Sequence, residues 1–118
     1  MAPRRILVVD NVSELCDLLA DAFSEAGFAV ATACDAAAAR RLLATESFEL
    51  MLIDAVLPGE SGESLAAHAE RLAVKIILMS GNLDILSRKE LPWPHLAKPF
   101  RLSRAIELVR DLLGRPSN

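Results

Sequence analysis

Residues 50–62 read LMLIDAVLPGESG, and their order decides the fold. The apolar residues 50–53 make a run of strand length, long enough to cross a sheet and too short for a helix. The run stops at Asp54. A loop carrying Pro58, Gly59 and Gly62 then turns the chain, after which Leu65, Ala66, Ala69 and Leu72 fall at helical spacing. A buried strand, a loop that opens on a carboxylate and a helix returning along the sheet make one βα unit of a parallel sheet.

The same unit recurs on both sides. Upstream, residues 6–9 form a first apolar run ending in Asp10, followed by Leu15, Leu19, Ala22 and Ala26 on one predicted helix face and Gly27 as its stop. Residues 28–32 read as a second strand, and Asp35 is placed to cap a helix whose Ala39, Leu42 and Leu43 face the sheet. Downstream, residues 74–79 read as a fourth strand and 82–90 as a short, weakly patterned helix. Pro92 and Pro94 then break the chain before a fifth strand at 95–97. Leu102, Ile106, Val109 and Leu113 mark a last amphipathic helix ending at Gly114. Five such units predict an α/β fold: a doubly wound, five-stranded parallel sheet in the order 2-1-3-4-5, a flavodoxin-like three-layer sandwich. Residues 1–118 are expected to be one domain with no output domain.

Composition narrows the function. At 118 residues the chain suits one core, and 53% hydrophobic against 25% charged residues is the balance of a folded globule. The net charge of −3 gives no basic footprint for a nucleic-acid backbone, so direct nucleic-acid binding is not expected. No run approaches the ~18 apolar residues of a membrane span or a signal-peptide core, which points to a cytoplasmic protein away from the membrane. Cys16 and Cys34 form no CxxC or Cys/His cluster, so both read as structural or incidental thiols. His68 has no second ligand at metal spacing and reads as a surface residue, as do Arg40, Arg41, Arg104 and Arg110.

The chemistry gathers at the carboxyl ends of the strands. In this strand order the first and third strands are neighbours ~4.8 Å apart, so Asp10 and Asp54 must crowd each other unless a cation sits between them. Ser80 closes the fourth strand and Lys98 follows the fifth, bringing a hydroxyl and an ammonium to the same rim. One or two carboxylates with waters and phosphate oxygens are the usual setting of Mg²⁺, and phosphoryl transfer needs little beyond positioning and charge neutralisation.

Four motifs carry a resemblance to a known family: ILVVDN at 6–11, LMLIDAVLPGESG at 50–62, ILMSGN at 77–82 and LAKPF at 96–100. In this order and spacing they resemble the receiver domain of bacterial two-component response regulators, the CheY-like family, over essentially the whole chain. The resemblance implies that Asp54 accepts a phosphoryl group from a histidine kinase or a histidine phosphotransfer protein. It implies that Asp10, Asn11, Asp54 and the Val56 carbonyl hold Mg²⁺, that Ser80 and Lys98 engage the phosphoryl group, and that the bond before Pro99 is cis. A receiver of this kind is not an enzyme, although it can slowly dephosphorylate itself. Its partners would dock over residues 83–113, with a downstream protein target or a homodimer mate among them, and the chain could stand alone or come from a hybrid kinase.

The sequence departs from the family at several positions. Asn11 stands where a second acidic residue is usual, which removes one negative charge and implies weaker Mg²⁺ binding. His95 replaces the tyrosine or phenylalanine that switches inward on activation. Val56 and Asn82 occupy the positions that tune attack by water on the acyl phosphate, and apolar Val56 cannot orient a water. A degenerate receiver that works as a phosphorylation-independent interaction module is the alternative that Asn11 keeps open. An aspartate-nucleophile phosphatase ranks lower, because Val56 stands where that class needs a second acid. A flavin-binding domain ranks lower too, for want of a phosphate loop after the first strand.

Overall fold

The computed structural model describes residues 3–87 and 91–114. Strands β1 (Arg5–Val9), β2 (Ala29–Ala33), β3 (Leu50–Asp54), β4 (Lys75–Ser80) and β5 (His95–Ala97) pair in parallel as one sheet in the order β2-β1-β3-β4-β5. Helices α1 (Ser13–Glu25), α2 (Ala36–Thr45), α3 (Gly62–Arg71), α4 (Leu83–Leu86) and α5 (Leu102–Leu113) alternate with them. The fold is therefore the doubly wound α/β sandwich the sequence implies.

Strand alternation feeds two cores. Leu7, Val9, Met51, Ile53 and Leu78 pack with buried residues of α2 and α3, while Ile6, Val8, Leu50, Leu52, Ile77 and Met79 pack with those of α1 and α5. Both faces of the inner strands are covered, so β3 is buried at every position, Asp54 included. Each fully buried aliphatic side chain is worth ~2 kcal/mol, which fixes the register and hence the positions of the strand ends.

Several local expectations shift. The buried stripe of α1 is Cys16, Leu19 and Phe23, with Leu15, Ala22 and Ala26 only partly buried. The reason is Phe23, which meets Phe28 edge-on at 5.9 Å and turns the helix so that its largest side chain goes deepest. Gly27 adopts φ +98 and lets the Phe28 amide reach back to the Phe23 carbonyl at 3.0 Å, so β2 begins at Ala29, one residue late. Leu72 was expected on the core face of α3. It lies past the helix end and is 49% exposed, because Ala73 takes a left-handed φ of +65 as the chain enters β4.

Helix α4 is shorter than the expected 82–90 and stops at Leu86; residues 88–90 of that span lie outside the described residues. Asp35 caps α2 by accepting from the Ala38 amide at 2.7 Å, a contact worth ~1 kcal/mol. Among the described residues no helix is long and apolar enough to cross a membrane.

Candidate functional site

Three strands end in the same local device. Asp10 follows β1, and its Oδ1 accepts the Val12 amide at 2.8 Å. Asp54 ends β3, and its Oδ1 accepts the Val56 amide at 3.0 Å. Ser80 ends β4, and its Oγ accepts the Asn82 amide at 2.9 Å. Each side chain turns back on the amide two residues ahead, a bond that short polar residues favour where a strand gives way to a loop. All three are buried, and the two carboxylates keep their Oδ2 atoms free for a common partner.

That partner is Lys98. The strand register sets Val9 beside Ile53, Asp54 beside Met79 and Ser80 beside Ala97, so the residue after β5 arrives at the rim where both carboxylates stand. Its amide donates to the Ser80 carbonyl at 2.9 Å, while its ammonium lies 2.5 Å from Asp10 Oδ2 and 2.9 Å from Asp54 Oδ2. Burial works against the charged amine. The hydrogen bonds to Asp10 and Asp54, with their charges, outweigh it and raise the amine above its ordinary value. The bond between Lys98 and Pro99 is cis.

The remaining candidates are spread around this pocket. Asn11 is exposed beside Asp10, and Val56 is 61% exposed beside Asp54. Asn82 does not turn to the pocket: its side-chain oxygen accepts the Asp84 amide at 2.9 Å and starts α4. His95 is half-buried on β5, and its Nδ1 is buried with no hydrogen-bond partner among the described residues. Ser80 has no bond to Asp54 among the described residues, so its hydroxyl proton is not committed to the carboxylate. His68 is half-buried on α3, and the described residues contain no group of three metal-binding side chains.

The fold gives several further residues contacts that the sequence did not show. A Cβ at Gly62 would stand 2.0 Å from the Asp54 carbonyl oxygen, so only glycine lets α3 start so close behind the carboxylate. Arg40, expected to be solvated, forks onto Glu60 at 2.9 and 2.5 Å and ties α2 to the β3–α3 loop. Arg40, aided by the Ser64 hydroxyl, holds the Glu60 carboxyl down at about 2. Cys16, placed on α1 by the sequence, donates its thiol to the Asp10 carbonyl at 3.3 Å. Burial first, then the charges of Asp10 and Cys34, raise that thiol to about 11. A glycine that opens a helix and charged residues 20 positions apart carry no signal until the fold joins them.

Comparison with known proteins agrees with this geometry. The response regulator receiver domain family matches residues 6–110. Protein PetR of Rhodobacter capsulatus is 31% identical over 97% of this chain and 50% of its own length. Transcriptional regulatory protein GltR of Pseudomonas aeruginosa is 32% identical over 95% of this chain and 50% of its own. The chain thus spans about half the length of the curated relatives it matches. Among solved structures, response regulator TrrA of Thermotoga maritima, in complex with Mg²⁺ and BeF, superposes with a TM-score of 0.82 at 28% identity, covering 93% of this chain and 99% of that one. A CheY-like receiver domain from Methanospirillum hungatei gives 0.82 at 26% identity over 94% of each chain. With its strand order, its acidic pocket and this match over nearly its whole length, the chain belongs to the response regulator receiver domain family.

Proposed function

We propose that Asp54 is the phosphoacceptor of this receiver and that Asp10, Ser80 and Lys98 serve it. The observation that carries the reading is the Lys98 ammonium shared between Asp10 and Asp54 at neighbouring strand ends. A carboxylate oxygen of Asp54 attacks the phosphorus of a phosphohistidine on a kinase or phosphotransfer protein. The new P–O bond forms as the P–N bond breaks, and the imidazole leaves. Lys98 moves from the carboxylate to the incoming phosphoryl oxygens, and Ser80, freed from the Asn82 amide, donates its hydroxyl proton to one of them. Asp10 remains buried throughout, holding the cation that must shift.

The donor set suits a hard cation. Asp10, Asp54, the Asn11 amide oxygen and the Val56 carbonyl are all oxygen ligands, and Lys98 already occupies the pocket as a positive charge between the carboxylates. Mg²⁺ bound there would neutralise phosphoryl charge. One acidic ligand fewer makes that binding weak.

Intact-mass spectrometry after treatment with acetyl phosphate and Mg²⁺ tests the reading. The wild-type chain should gain one phosphoryl group and Asp54→Asn none; an unmodified wild type, or a variant modified equally, sinks it. The degenerate reading has one specific observation in its favour: Asn11 supplies no charge beside a Lys98 already paired to both carboxylates. Beryllofluoride that leaves the spectrum of the protein unperturbed would decide for it.

As a single receiver domain over 1–118, the protein would accept phosphate in the cytoplasm and signal by docking rather than by turnover. A histidine kinase or phosphotransfer protein would load it. The surface over residues 83–113 would meet a downstream protein or a second copy.

A further inference from the structure

We propose that Cys16 and Cys34 form a peroxide-oxidisable dithiol that closes into a disulfide beside the acidic pocket. The two are separated by a helix and a strand in sequence, and the fold brings them together. Cys16 lies in the first turns of α1, and its sulfur is 4.0 Å from the carbonyl oxygen of Ala33, the residue that precedes Cys34. Along β2 the side chains alternate, with Val30 packed in the α1/α5 core and Ala31 and Ala33 in the opposite one. Cys34 follows where the chain bends out of the strand, and the peptide bond it shares with Ala33 sets its backbone beside the Cys16 sulfur.

Their exposures divide the work. Cys34 is exposed and Cys16 is 2% exposed, so an oxidant in solvent meets Cys34 first. The Cys34 sulfur attacks one oxygen of hydrogen peroxide: an S–O bond forms, the O–O bond breaks, and the other oxygen leaves as water with the thiol proton. The sulfur is oxidised by two electrons to a sulfenic acid. Cys16 then attacks the Cys34 sulfur. The S–S bond forms, the S–O bond breaks, and hydroxide leaves with the Cys16 proton as a second water. In sum, two thiols and one peroxide give one disulfide and two waters. Redox-sensing cysteines are solvent-accessible and often stand next to a resolving cysteine.

The location gives the bond a consequence. The Cys16 thiol donates to the backbone carbonyl of Asp10 at 3.3 Å, and a disulfide has no proton to donate, so closure removes a bond from the segment that carries the pocket's buried carboxylate.

Peptide mapping of the intact chain after hydrogen peroxide, with free thiols alkylated, tests the proposal. The expected product is monomeric, carries no alkyl group and yields a peptide in which Cys16 and Cys34 are linked; dithiothreitol reverses it. Cys34→Ser should leave Cys16 alkylatable after the same treatment. In Cys16→Ala the sulfenic acid on Cys34 should persist and be trapped by dimedone. A wild-type chain in which Cys34 is over-oxidised, or joins two chains, while Cys16 remains alkylatable overturns the proposal. Because that result is read on the wild type, it holds even where Cys16→Ala fails to fold.

Discussion

The Lys98 ammonium stands closer to Asp10 Oδ2, at 2.5 Å, than to Asp54 Oδ2, at 2.9 Å, although both carboxylates end adjacent strands. Asp10 has no exposed surface and Asp54 is 8% exposed, so the cation is anchored by the deeper acid and shared with the shallower one. Such an arrangement lets Asp54 give up its cation without leaving Asp10 an unpaired buried charge.

Lys98→Met should therefore cost about 3 kcal/mol at neutral pH, because it strands two carboxylates, one of them wholly buried. Saturating Mg²⁺ should recover part of that loss, since a divalent ion can replace the ammonium. The pair's contribution in the wild type is intact below the amine's ordinary 10.5 and is lost only as pH climbs through the raised folded value. Urea denaturation with and without Mg²⁺ measures both effects. A variant as stable as the wild type would show that the ammonium contributes nothing net.

Gly62→Ala pits helix propensity against close approach. Alanine favours a helix over glycine by about 1 kcal/mol, yet its Cβ would lie 2.0 Å from the Asp54 carbonyl oxygen and 2.8 Å from Ala55 Cα, both backbone atoms that cannot rotate away. The clash should win, with a net loss of about 2 kcal/mol or more and a displaced Asp54. Thermal unfolding and the rate of modification by acetyl phosphate should both fall; unchanged values would mean that α3 shifts freely.

The strand ends were legible in the sequence because apolar runs that stop on Asp10, Asp54 and Ser80 fix their own positions through burial and strand order. Contacts between elements were not. The pairing of Arg40 with Glu60, the meeting of Cys16 with Asp10 and Ala33, and the clearance at Gly62 depend on how α1, α2 and α3 lie on the sheet. Periodicity alone placed the core face of α1 one residue off, since it weighs Leu15 and Ala22 like Phe23, whereas packing favours the larger ring. Asn82 was read through its distance from Ser80, and the short-range competition of its amide for the start of α4 left no mark in that spacing.

Glu60 gives a pH signature. Its carboxyl sits near 2 because the Arg40 guanidinium donates to it, against 4.5 for a free glutamate. A depressed folded value means stability that is fully present above 4.5 and lost as pH falls toward 2. The Arg40 side chain is 40% exposed, so solvent screening reduces the gain to about 1 kcal/mol. Glu60→Gln should be destabilised by that amount at pH 7 and converge on the wild type as the pH falls through this window. Parallel curves at every pH would rule out the ion pair as the cause.

With Asp54 as the proposed phosphoacceptor, Val56 should set how long the phosphoryl group lasts. Hydrolysis of an acyl phosphate needs a water aligned on phosphorus, and the side chain beside the acceptor is an exposed valine with no polar atom. Asn82, the other polar candidate at this edge, spends its oxygen on the Asp84 and Ile85 amides. Val56 cannot hold the water, so self-dephosphorylation should be slow. Val56→Asn keeps the backbone amide that bonds Asp54 and adds a group able to orient water. It should speed phosphate release about tenfold, equivalent to ~1.4 kcal/mol of barrier. Asn82→Ala should leave the release rate unchanged while loosening α4. Phosphate release timed after removal of excess acetyl phosphate distinguishes the two variants, and equal rates for Val56→Asn and the wild type would move control of the lifetime away from this position.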